Sequence, residues 1–325
     1  MDPENVGRHF DEVGSVLHAI MNYDYASNQE ALRRLYEKAK CEQWNGSIDL
    51  DWSQPVDTAK GVLDNRRVAI YGTEFWDNLS EVERRRLNFM EAVWSLSQFL
   101  HGEQGTLLVC GQLVDCVPDI DAKFCAASQT FDEARHVEVF ERYLNQKLGG
   151  TQPIDADLKA ILDMALSSEQ WTVKCICTQV LIEGLALGAF HTAYDSSRDP
   201  LLRELMARVI KDEARHVAFG VLLLQEELPK LADEERAGLE ELCCGTCEMM
   251  AWGFFPEHIY RELGLSDIEL VRAHVMRSTA RRQFQRDMFS VLIPNLKRIG
   301  LLSDRVRPRY EALGVLGYED SPASV

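Results

Sequence analysis

Asp132-Glu-Ala-Arg-His136 recurs 80 residues later as Asp212-Glu-Ala-Arg-His216. Each copy places its glutamate 30 residues after another glutamate in a largely apolar stretch, Glu103 for the first copy and Glu183 for the second. In a helix, residues three apart share one face, so the Glu and His of each copy present a carboxylate and an imidazole to the same point. The sequence therefore contains two matched half-sites.

The 30-residue spacing predicts that each half-site is a helical hairpin. Pro118, followed by Asp119, lies midway between the first two glutamates, and Arg198 lies midway between the second two, inside the turn-like segment Asp195-Ser-Ser-Arg-Asp-Pro200. An antiparallel hairpin that bends there returns each pentapeptide to the level of its partner glutamate, roughly 20 Å from the turn at about 1.5 Å of rise per residue. Four helices then meet at one point.

Four helices that each supply a glutamate, two of which also supply a histidine, form the ligand pattern of di-iron and di-manganese helical bundles. Four buried carboxylates without counter-charge would be strongly destabilising, whereas two divalent cations balance them. Ordinary charged helix faces in solvent are the alternative, but they leave the apolar sequence around the two single glutamates unexplained. The candidate metal ligands, which are also the candidate catalytic residues, are Glu103, Glu133, His136, Glu183, Glu213 and His216.

The helical periodicity predicts an all-α protein. The ligand pattern is that of a ferritin-like four-helix bundle. Because the motif-bearing helices span only about residues 88 to 230 of the 325, we also expect additional covering helices. We expect three regions: an N-terminal arm with short helices at residues 1–75, the di-metal helical domain at 76–300, and a loose C-terminal tail at 301–325. Glycine disfavours helix, so the first long helix is expected to break near Gly102 or Gly105. The helical segments are expected at 29–40, 76–115, 119–148, 155–168, 171–194, 200–228, 233–263 and 267–299.

Charge and composition exclude several classes of protein. A net charge of -17 and a pI near 4.9 argue against a surface for nucleic acid or anionic membrane, because clustered Lys and Arg hold both. No apolar run approaches the roughly 20 residues of a membrane span, and the start lacks the features of a secretory signal. We therefore expect a soluble, cytoplasmic protein. The nine cysteines, including the motif Cys244-Gly-Thr-Cys247, are interpreted as buried free thiols rather than as a redox or metal motif.

Helical spacing also identifies candidates for a substrate pocket beside the metals. An apolar lining suits oxidative chemistry because it excludes water and offers few oxidisable groups, although each of these side chains also suits plain core packing. The candidates lie on the faces of the two single glutamates and one turn after the first histidine; they are Phe99, Leu100, Thr106, Leu107, Cys110, Phe140, Gln179, Val180, Leu187 and Phe190.

Two aspartates and two arginines belong to the repeat itself. A metal-bound imidazole usually donates its second N–H to a carboxylate or carbonyl, which fixes the tautomer and the ring orientation. By symmetry we expect Asp132 to serve the histidine of the opposite half and Asp212 likewise, with Arg135 and Arg215 neutralising them. The alternative is a pair of surface contacts between Asp and Arg three residues apart.

At these residues the sequence resembles the ferritin-like di-iron oxygenases, in particular the hydroxylase subunits of bacterial multicomponent monooxygenases and the R2-like oxidases, in which DExRH recurs on two helices. The lead-in segments Leu35-Tyr-Glu-Lys-Ala-Lys40, Gln43-Trp44 and Ile48-Asp-Leu50 also look like those of ribonucleotide-reductase small-subunit relatives. The resemblance covers roughly residues 30 to 290. It implies two carboxylate-bridged irons that are reduced before O2 binds, held by the six ligands named above, and it supports the cross-paired aspartates.

The sequence departs from these relatives at five positions. Phe140 stands where most reductase subunits carry the radical-bearing tyrosine, although a reductase class with Phe there and an Mn/Fe site is known. Leu187 replaces the threonine through which monooxygenase hydroxylases deliver protons. Thr106 and Thr178 replace the Val and Tyr that form a crosslink in R2-like ligand-binding oxidases, so that crosslink cannot form. Val209 stands where arylamine N-oxygenases carry an extra histidine, so no seventh protein ligand is expected.

The leading functional prediction is a non-haem di-iron oxygenase that activates O2 to hydroxylate, N-oxygenate or dehydrogenate a small organic substrate. The predicted cofactor is two iron ions, with an Mn/Fe pair as the alternative, and a homodimer is expected. Nothing in the chain resembles a flavin or nicotinamide site, so electrons must come from an external donor or reductase. A radical-generating subunit like that of ribonucleotide reductase, an iron-storage protein and an inactive structural member are the alternatives. Helices beyond the minimal bundle favour a substrate pocket over storage.

Overall fold

The computed structural model describes residues 11–58 and 61–321, which fold mainly into helices. Within them the single β pairing is an isolated bridge between Leu63 and Ser197. The all-α prediction is therefore confirmed. The helices are α1 (Glu30–Cys41), α2 (Glu74–Asn78), α3 (Glu81–Cys116), α4 (Ile120–Tyr143), α5 (Ala156–Ser167), α6 (Trp171–Cys175), α7 (Glu183–Ser196), α8 (Pro200–Glu227), α9 (Asp233–Trp252), α10 (Glu257–Glu262), α11 (Ile268–Arg277), α12 (Thr279–Arg298) and α13 (Arg307–Ala312).

Helices α3, α4, α7 and α8 form the four-helix bundle, as two hairpins joined by a crossover that contains α5. Each hairpin turn is set by a capping aspartate. Asp119 accepts a hydrogen bond from a backbone N–H at the start of α4, and Asp199 accepts from Leu201 and Leu202 at the start of α8. Pro200 takes the first position of α8, where no backbone donor is needed. Two hairpins joined by one long crossover give the connectivity of a ferritin-like bundle.

Helix α3 runs without interruption through Gly102 and Gly105, so the predicted break there is wrong. The chain breaks earlier, before Ser80, which caps α3 and exchanges hydrogen bonds with Glu83. Gly105 fits inside the helix because Leu162 of α5 packs directly onto it, and a Cβ at Gly105 would lie 2.3 Å from Leu162 Cδ2. This close packing of α5 on α3 outweighs the glycine penalty of about 1 kcal/mol.

A π-helical stretch, Ile176–Ile182, joins α6 to α7 immediately before Glu183. Such wide turns occur mostly as single insertions in α-helices, frequently at functional sites. The combined helix Trp171–Ser196 is long and apolar enough to cross a membrane by length and composition, which corrects the expectation that no such run exists. However, 83% of its most apolar window is buried inside the fold. It therefore forms part of the bundle core.

The remaining helices cover the bundle. Helix α12 packs along α7, and α1 packs across α4 and α8. Helices α7 and α12 approach most closely at Gly188, where a Cβ would lie 2.2 Å from the carbonyl oxygen of Asp287. Only glycine permits this approach of the two backbones, and it brings side chains of α12 towards the middle of the molecule.

The C-terminal part differs in two ways from the sequence-based expectation. The helices expected at 233–263 and 267–299 are each interrupted, the first after α9 and the second at Ser278. A proline before α10 accounts for the first break, because it cannot continue a helix. Residues 301–318, expected in a loose tail, pack against the core, and Tyr310 is fully buried. The boundaries of the three regions stay predictions.

Candidate metal centre

Six side chains from four helices meet at the centre of the bundle. Helix α3 supplies Glu103, α7 supplies Glu183, and α4 and α8 each supply the Glu and His of their pentapeptide. Glu133 and Glu213 belong to both of two adjacent groups, so the groups share two carboxylates. Within each group the donor atoms all lie within 4.8 Å of one another; the groups are Glu103, Glu133, His136 and Glu213, and Glu133, Glu183, Glu213 and His216.

Burial and charge show that this cluster fits cations. Each of its four glutamates is at most 5% exposed. Burial, together with repulsion from Glu213 and Glu133, raises the pKa of both Glu103 and Glu183 well above the ordinary value. Glu133 Oε2 and Glu213 Oε1 are buried and accept no hydrogen bond, although His136 Nδ1 lies 3.0 Å from Glu213 Oε1. Two divalent metal ions among these oxygen and imidazole donors would supply the missing positive charge.

The two histidines are oriented by aspartates from the opposite half of the bundle. Nδ1 of His136 faces the glutamates, 3.1 Å from Glu103 Oε2, while its Nε2 lies 3.1 Å from Asp212 Oδ2. Likewise, Nε2 of His216 lies 3.3 Å from Asp132 Oδ2. An Nε2–H that donates to an aspartate leaves the Nδ1 lone pair directed at the glutamates, as a metal ligand requires.

Two buried arginines contact both of these aspartates. Arg135 and Arg215 each donate to both Asp132 and Asp212, at distances between 2.5 and 3.1 Å. Burial opposes ionisation, but hydrogen bonds and charge from the opposite histidines lower the pKa of both aspartates below the ordinary range. The repeated Asp and Arg residues therefore form one compact network behind the histidines.

The loop after α1 completes this network. Trp44 Nε1 donates to Asp212 Oδ2 at 2.7 Å, and Gln43 Nε2 donates to Asp132 Oδ1 at 2.9 Å. The sequence marked Gln43 and Trp44 only as part of a lead-in segment. Their contacts with the site were not predictable, because 168 residues separate Trp44 from Asp212 along the chain.

A pair of glutamines, Gln129 and Gln179, closes another side of the cluster, and the sequence predicted only Gln179 as a site residue. Gln129 Nε2 donates to Glu133 Oε1 and to Glu183 Oε1, both at 3.0 Å. Gln179 Nε2 donates in turn to Gln129 Oε1 at 3.0 Å. Gln129 precedes Glu133 by four residues and shares its helix face, and this spacing could have identified it.

A mostly apolar cavity of about 200 Å³ reaches the cluster at Glu103 and Glu183. Residues of α3, α7 and α12 form most of its wall. Phe284 and Met288 of α12 belong to this wall, and no motif identified them, because α12 is remote in sequence from the repeated pentapeptides. The cavity exists because α12 covers the bundle.

Three of the ten predicted pocket residues, Phe99, Thr106 and Phe190, line this cavity. Phe140 lies behind them, with its ring centroid 6.0 Å from that of Phe99 and 5.9 Å from that of Phe190. A shared helix face with a glutamate does not by itself place a side chain on this wall, and which residues contact a substrate stays a prediction. The predicted residues outside the cavity wall are Leu100, Leu107, Cys110, Phe140, Gln179, Val180 and Leu187.

Val209 lies one turn before Glu213 on α8 and is fully buried in an apolar cluster with Phe140 and Phe190. Because valine has no atom that can bind a metal, position 209 adds no seventh ligand to the six donors described above. Thr178, in the π-helical stretch, donates its hydroxyl to the backbone carbonyl of Lys174 at 2.7 Å.

Comparison with known proteins identifies one family. A family model described as P-aminobenzoate N-oxygenase AurF matches residues 26–300. No curated protein matches the chain. Among solved structures, an R2-like ligand-binding oxidase with a valine-to-isoleucine change and an anaerobically reconstituted Mn/Fe cofactor is 21% identical, with a TM-score of 0.48. The match covers 82% of this chain and 95% of that one. A valine-to-leucine variant of the oxidase gives 21% identity, a TM-score of 0.47 and the same coverage.

Proposed function

The chain belongs to the P-aminobenzoate N-oxygenase AurF family, and we propose that it inserts one oxygen atom of O2 into an organic substrate held in the cavity beside the six-residue cluster. It is an O2-dependent non-haem di-iron oxidoreductase. The sequence-based predictions of a di-iron oxygenase and of a two-metal cofactor are confirmed at this level.

The main support for oxygen insertion is that the cavity reaches the cluster at Glu103 and Glu183. Iron storage needs no enclosed apolar space at its metal-binding residues. A substrate that is to receive an oxygen atom does need it, because the reacting atoms must be adjacent and bulk water must be excluded. Side chains of α12 help to enclose this cavity, which also supports a substrate site.

The residues of the cluster suggest how two irons would be held. Glu133 and Glu213 would contribute to both metal positions, because both belong to each group of donors. Glu103 with His136 would complete one site, and Glu183 with His216 would complete the other. When bound in the ferrous state, the two irons supply electrons that activate O2.

The chain contributes orientation and exclusion of water around that chemistry. Asp212 and Asp132 hold the histidines in the tautomer that binds metal. Phe99 and Phe190 form an apolar wall against the substrate. Thr106 lies one turn after Glu103 and lines the cavity, so its Oγ1 is available to hydrogen-bond an oxygen-bearing substrate.

Oxygen insertion requires a supply of electrons that this chain does not hold. One atom of O2 enters the substrate and the other leaves as water, which consumes two electrons and two protons. We propose an external electron-transfer protein or small reductase as the donor. A reducing, cytoplasmic setting is part of the proposal and is supported by the nine free cysteines, eight of which are buried.

The test uses the iron-loaded, chemically reduced protein and ¹⁸O₂. Organic molecules that co-purify with the protein, and a panel of apolar acids, amines and alcohols, are offered as substrates. We expect one ¹⁸O atom in the product of a single turnover, detected by mass spectrometry. Label in water alone, with an unlabelled or dehydrogenated product, would contradict oxygen insertion.

Two variants on one helix provide the control. Glu133→Ala removes a shared carboxylate, and we expect it to abolish labelling. Glu141→Ala changes an exposed glutamate two turns further along α4, and we expect it to label product like the unmodified protein. Equal labelling by both variants would place the chemistry elsewhere.

A further inference from the structure

The cavity extends to a charged end that is remote from the metal cluster. Glu91 lines this end and precedes Glu103 by twelve residues on α3. At 1.5 Å of rise per residue, about 18 Å of helix separates the two levels. The cavity is therefore much longer than a single aromatic ring with one substituent at each end.

Arg281 lines the same remote end. Helix α12 runs antiparallel to α7, because Gly184 lies against Leu292 and Gly188 lies against Asp287. Arg281, in the first turn of α12, is therefore level with the end of α7 that lies furthest from the metal cluster. The two ends of the cavity are thus chemically different: acidic donors for metal at one, a guanidinium at the other.

The guanidinium of Arg281 is buried without a carboxylate partner. Its Nη2 donates to the backbone carbonyls of Ala251 at 2.6 Å, Gly253 at 2.9 Å and Met250 at 3.4 Å. Its Nε has no hydrogen-bond partner, which is also true of Arg135 and Arg215. Arg135 and Arg215 are buried to the same extent, but each contacts two aspartates. Among the arginines that are buried in the described part of the chain, Arg281 alone lacks an acid.

The carbonyls at the C-terminal end of α9 offset part of the charge of Arg281, but no carboxylate balances it. Burial lowers the pKa of Arg281 to about 10, so the side chain still carries its charge at neutral pH. Glu91, the acid at this end of the cavity, accepts instead from the Tyr260 hydroxyl and from the backbone N–H of Ala69. Burial raises the pKa of Glu91 to about 7, so near neutrality much of it is uncharged. An anion that enters the cavity would balance Arg281.

Between the two ends most of the wall is apolar and suits hydrocarbon or aromatic groups. Ser95, Gln98 and Thr192 are polar members of the wall, and Arg67, which also lines the cavity, is paired with Asp287. The apolar side chains are Phe99, Leu185, Ala189, Phe190, Phe284 and Met288.

We propose that the substrate is an elongated, apolar monoanion, such as a long-chain carboxylate, whose acid group binds Arg281 and whose opposite end lies at Glu103 and Glu183. This rests on the proposed function for the reaction at the metal end, and it names the substrate class. Binding of the acid group depends only on Arg281 and the cavity. It therefore takes place in the metal-free protein as well.

Isothermal titration calorimetry of the metal-free protein tests this with three probes. Tetradecanoate supplies the length and the acid group, tetradecanol supplies the length alone, and p-aminobenzoate supplies an acid group on a short body. We expect tetradecanoate to bind about 10- to 100-fold more tightly than tetradecanol, as hydrogen bonds to a charged group predict, and more tightly than p-aminobenzoate. Equal affinity for tetradecanoate and tetradecanol would overturn the proposal.

Variants of two neighbouring arginines test whether Arg281 is the residue that binds the acid group. Arg281→Gln is expected to weaken tetradecanoate binding by about 10- to 100-fold and to leave tetradecanol binding unchanged. Arg282→Gln removes the adjacent, exposed charge and is expected to change neither. If Arg281→Gln does not fold, Ala189→Phe, which fills the middle of the cavity, is expected to abolish binding of both long probes. Unchanged tetradecanoate binding in either folded variant would overturn the proposal.

Binding of an elongated anion at Arg281 and insertion of oxygen at the metal end can be tested separately. Tight, Arg281-dependent binding of tetradecanoate without ¹⁸O in any product would leave the binding site standing and remove the oxygenase proposal. Incorporation of ¹⁸O into a short aromatic amine, by a protein that does not bind tetradecanoate, would do the reverse.

Discussion

His136 and His216 are each positioned by an aspartate from the other half of the molecule. The contacts join residues 76 and 84 positions apart, at 3.1 and 3.3 Å. Each aspartate accepts the Nε2–H and carries a negative charge that increases the basicity of the imidazole. The aspartates therefore influence metal affinity without contacting the donor atoms that face the cluster.

Removing the charge of one aspartate tests this influence. Asp212→Asn should weaken metal binding by about 10- to 100-fold, the range typical for residues that orient metal-bound histidines. Anaerobic titration with Co²⁺ in competition with a chelator measures the affinity. Asp163→Asn, which breaks a surface contact with Lys159, is the matched control and should bind metal like the unmodified protein. Equal affinities for both variants would show that Asp212 has no role in metal binding.

Glu91 links the cavity to the pH dependence of stability. Burial raises its pKa from the ordinary value of 4.5 to about 7. The folded state therefore binds the proton more tightly than the unfolded state does. The resulting stabilisation is complete below about pH 4.5 and is lost as the pH rises through 7, which amounts to roughly 3 kcal/mol for this group.

Glu91→Gln should remove this part of the pH dependence. The free energy of unfolding, measured by urea denaturation, is compared with that of the unmodified protein at pH 5 and at pH 8. We expect the difference between the two proteins to shift by about 2 to 3 kcal/mol in favour of the variant at the higher pH. Glu269→Gln, at an exposed position, should show no such shift. A constant difference for Glu91→Gln would contradict the raised pKa.

Among individual residues, the sequence predicts the metal ligands that belong to the repeated motif, but it does not predict site residues that lie outside any motif. The pentapeptide and its 30-residue spacing led to the six clustered side chains, because helical periodicity places such residues on one face. Gln129 could have been found by the same periodicity. Trp44, Glu91 and Arg281 could not, since nothing local distinguishes them and only the packing of distant helices brings them to the site.

At the scale of elements, the position of α12 against α7 determines the cavity. The two helices meet at Gly188, where a Cβ would lie 2.2 Å from the carbonyl oxygen of Asp287. Phe284 and Met288 reach the cavity wall from this helix. A larger residue at Gly188 must push the helices apart and open the wall.

Gly188→Ala should destabilise the protein by about 1 to 3 kcal/mol, because the added methyl group overpacks a backbone contact. Gly111→Ala is the matched control: Gly111 is exposed on α3 and has nothing within 4 Å of its ideal Cβ. That change should stabilise by up to about 1 kcal/mol through helix propensity. Urea denaturation measures both. A Gly188→Ala protein as stable as the unmodified one would mean that α12 can shift freely.

Most helix boundaries were predictable from the sequence, and the exceptions are caused by contacts between distant parts of the chain. The hairpin turns follow from Pro118 and from the segment that ends at Pro200, since proline and capping aspartates act locally. The expected break at Gly102 or Gly105 was wrong because the fit of Leu162 onto Gly105 is a tertiary effect. The π-helical stretch before Glu183 also has no local signature in the sequence.

At the scale of the whole molecule, the covering helices turn a metal-binding bundle into an enclosed site. Helices α1 and α12 pack on different sides of the bundle, and the cavity lies under α12. The family match over residues 26–300 includes both of these helices as well as the bundle. The sequence predicted covering helices from chain length alone, but where they pack depends on long-range contacts that no motif encodes.

The iron content of the protein shows whether the six-residue cluster holds two metal ions. Protein loaded with ferrous iron under anaerobic conditions and freed of excess metal is analysed for iron per chain. The six donors form two groups that share Glu133 and Glu213, so we expect two irons per chain, and fewer in Glu133→Ala. Saturation at one iron per chain, or loading far above two, would contradict it.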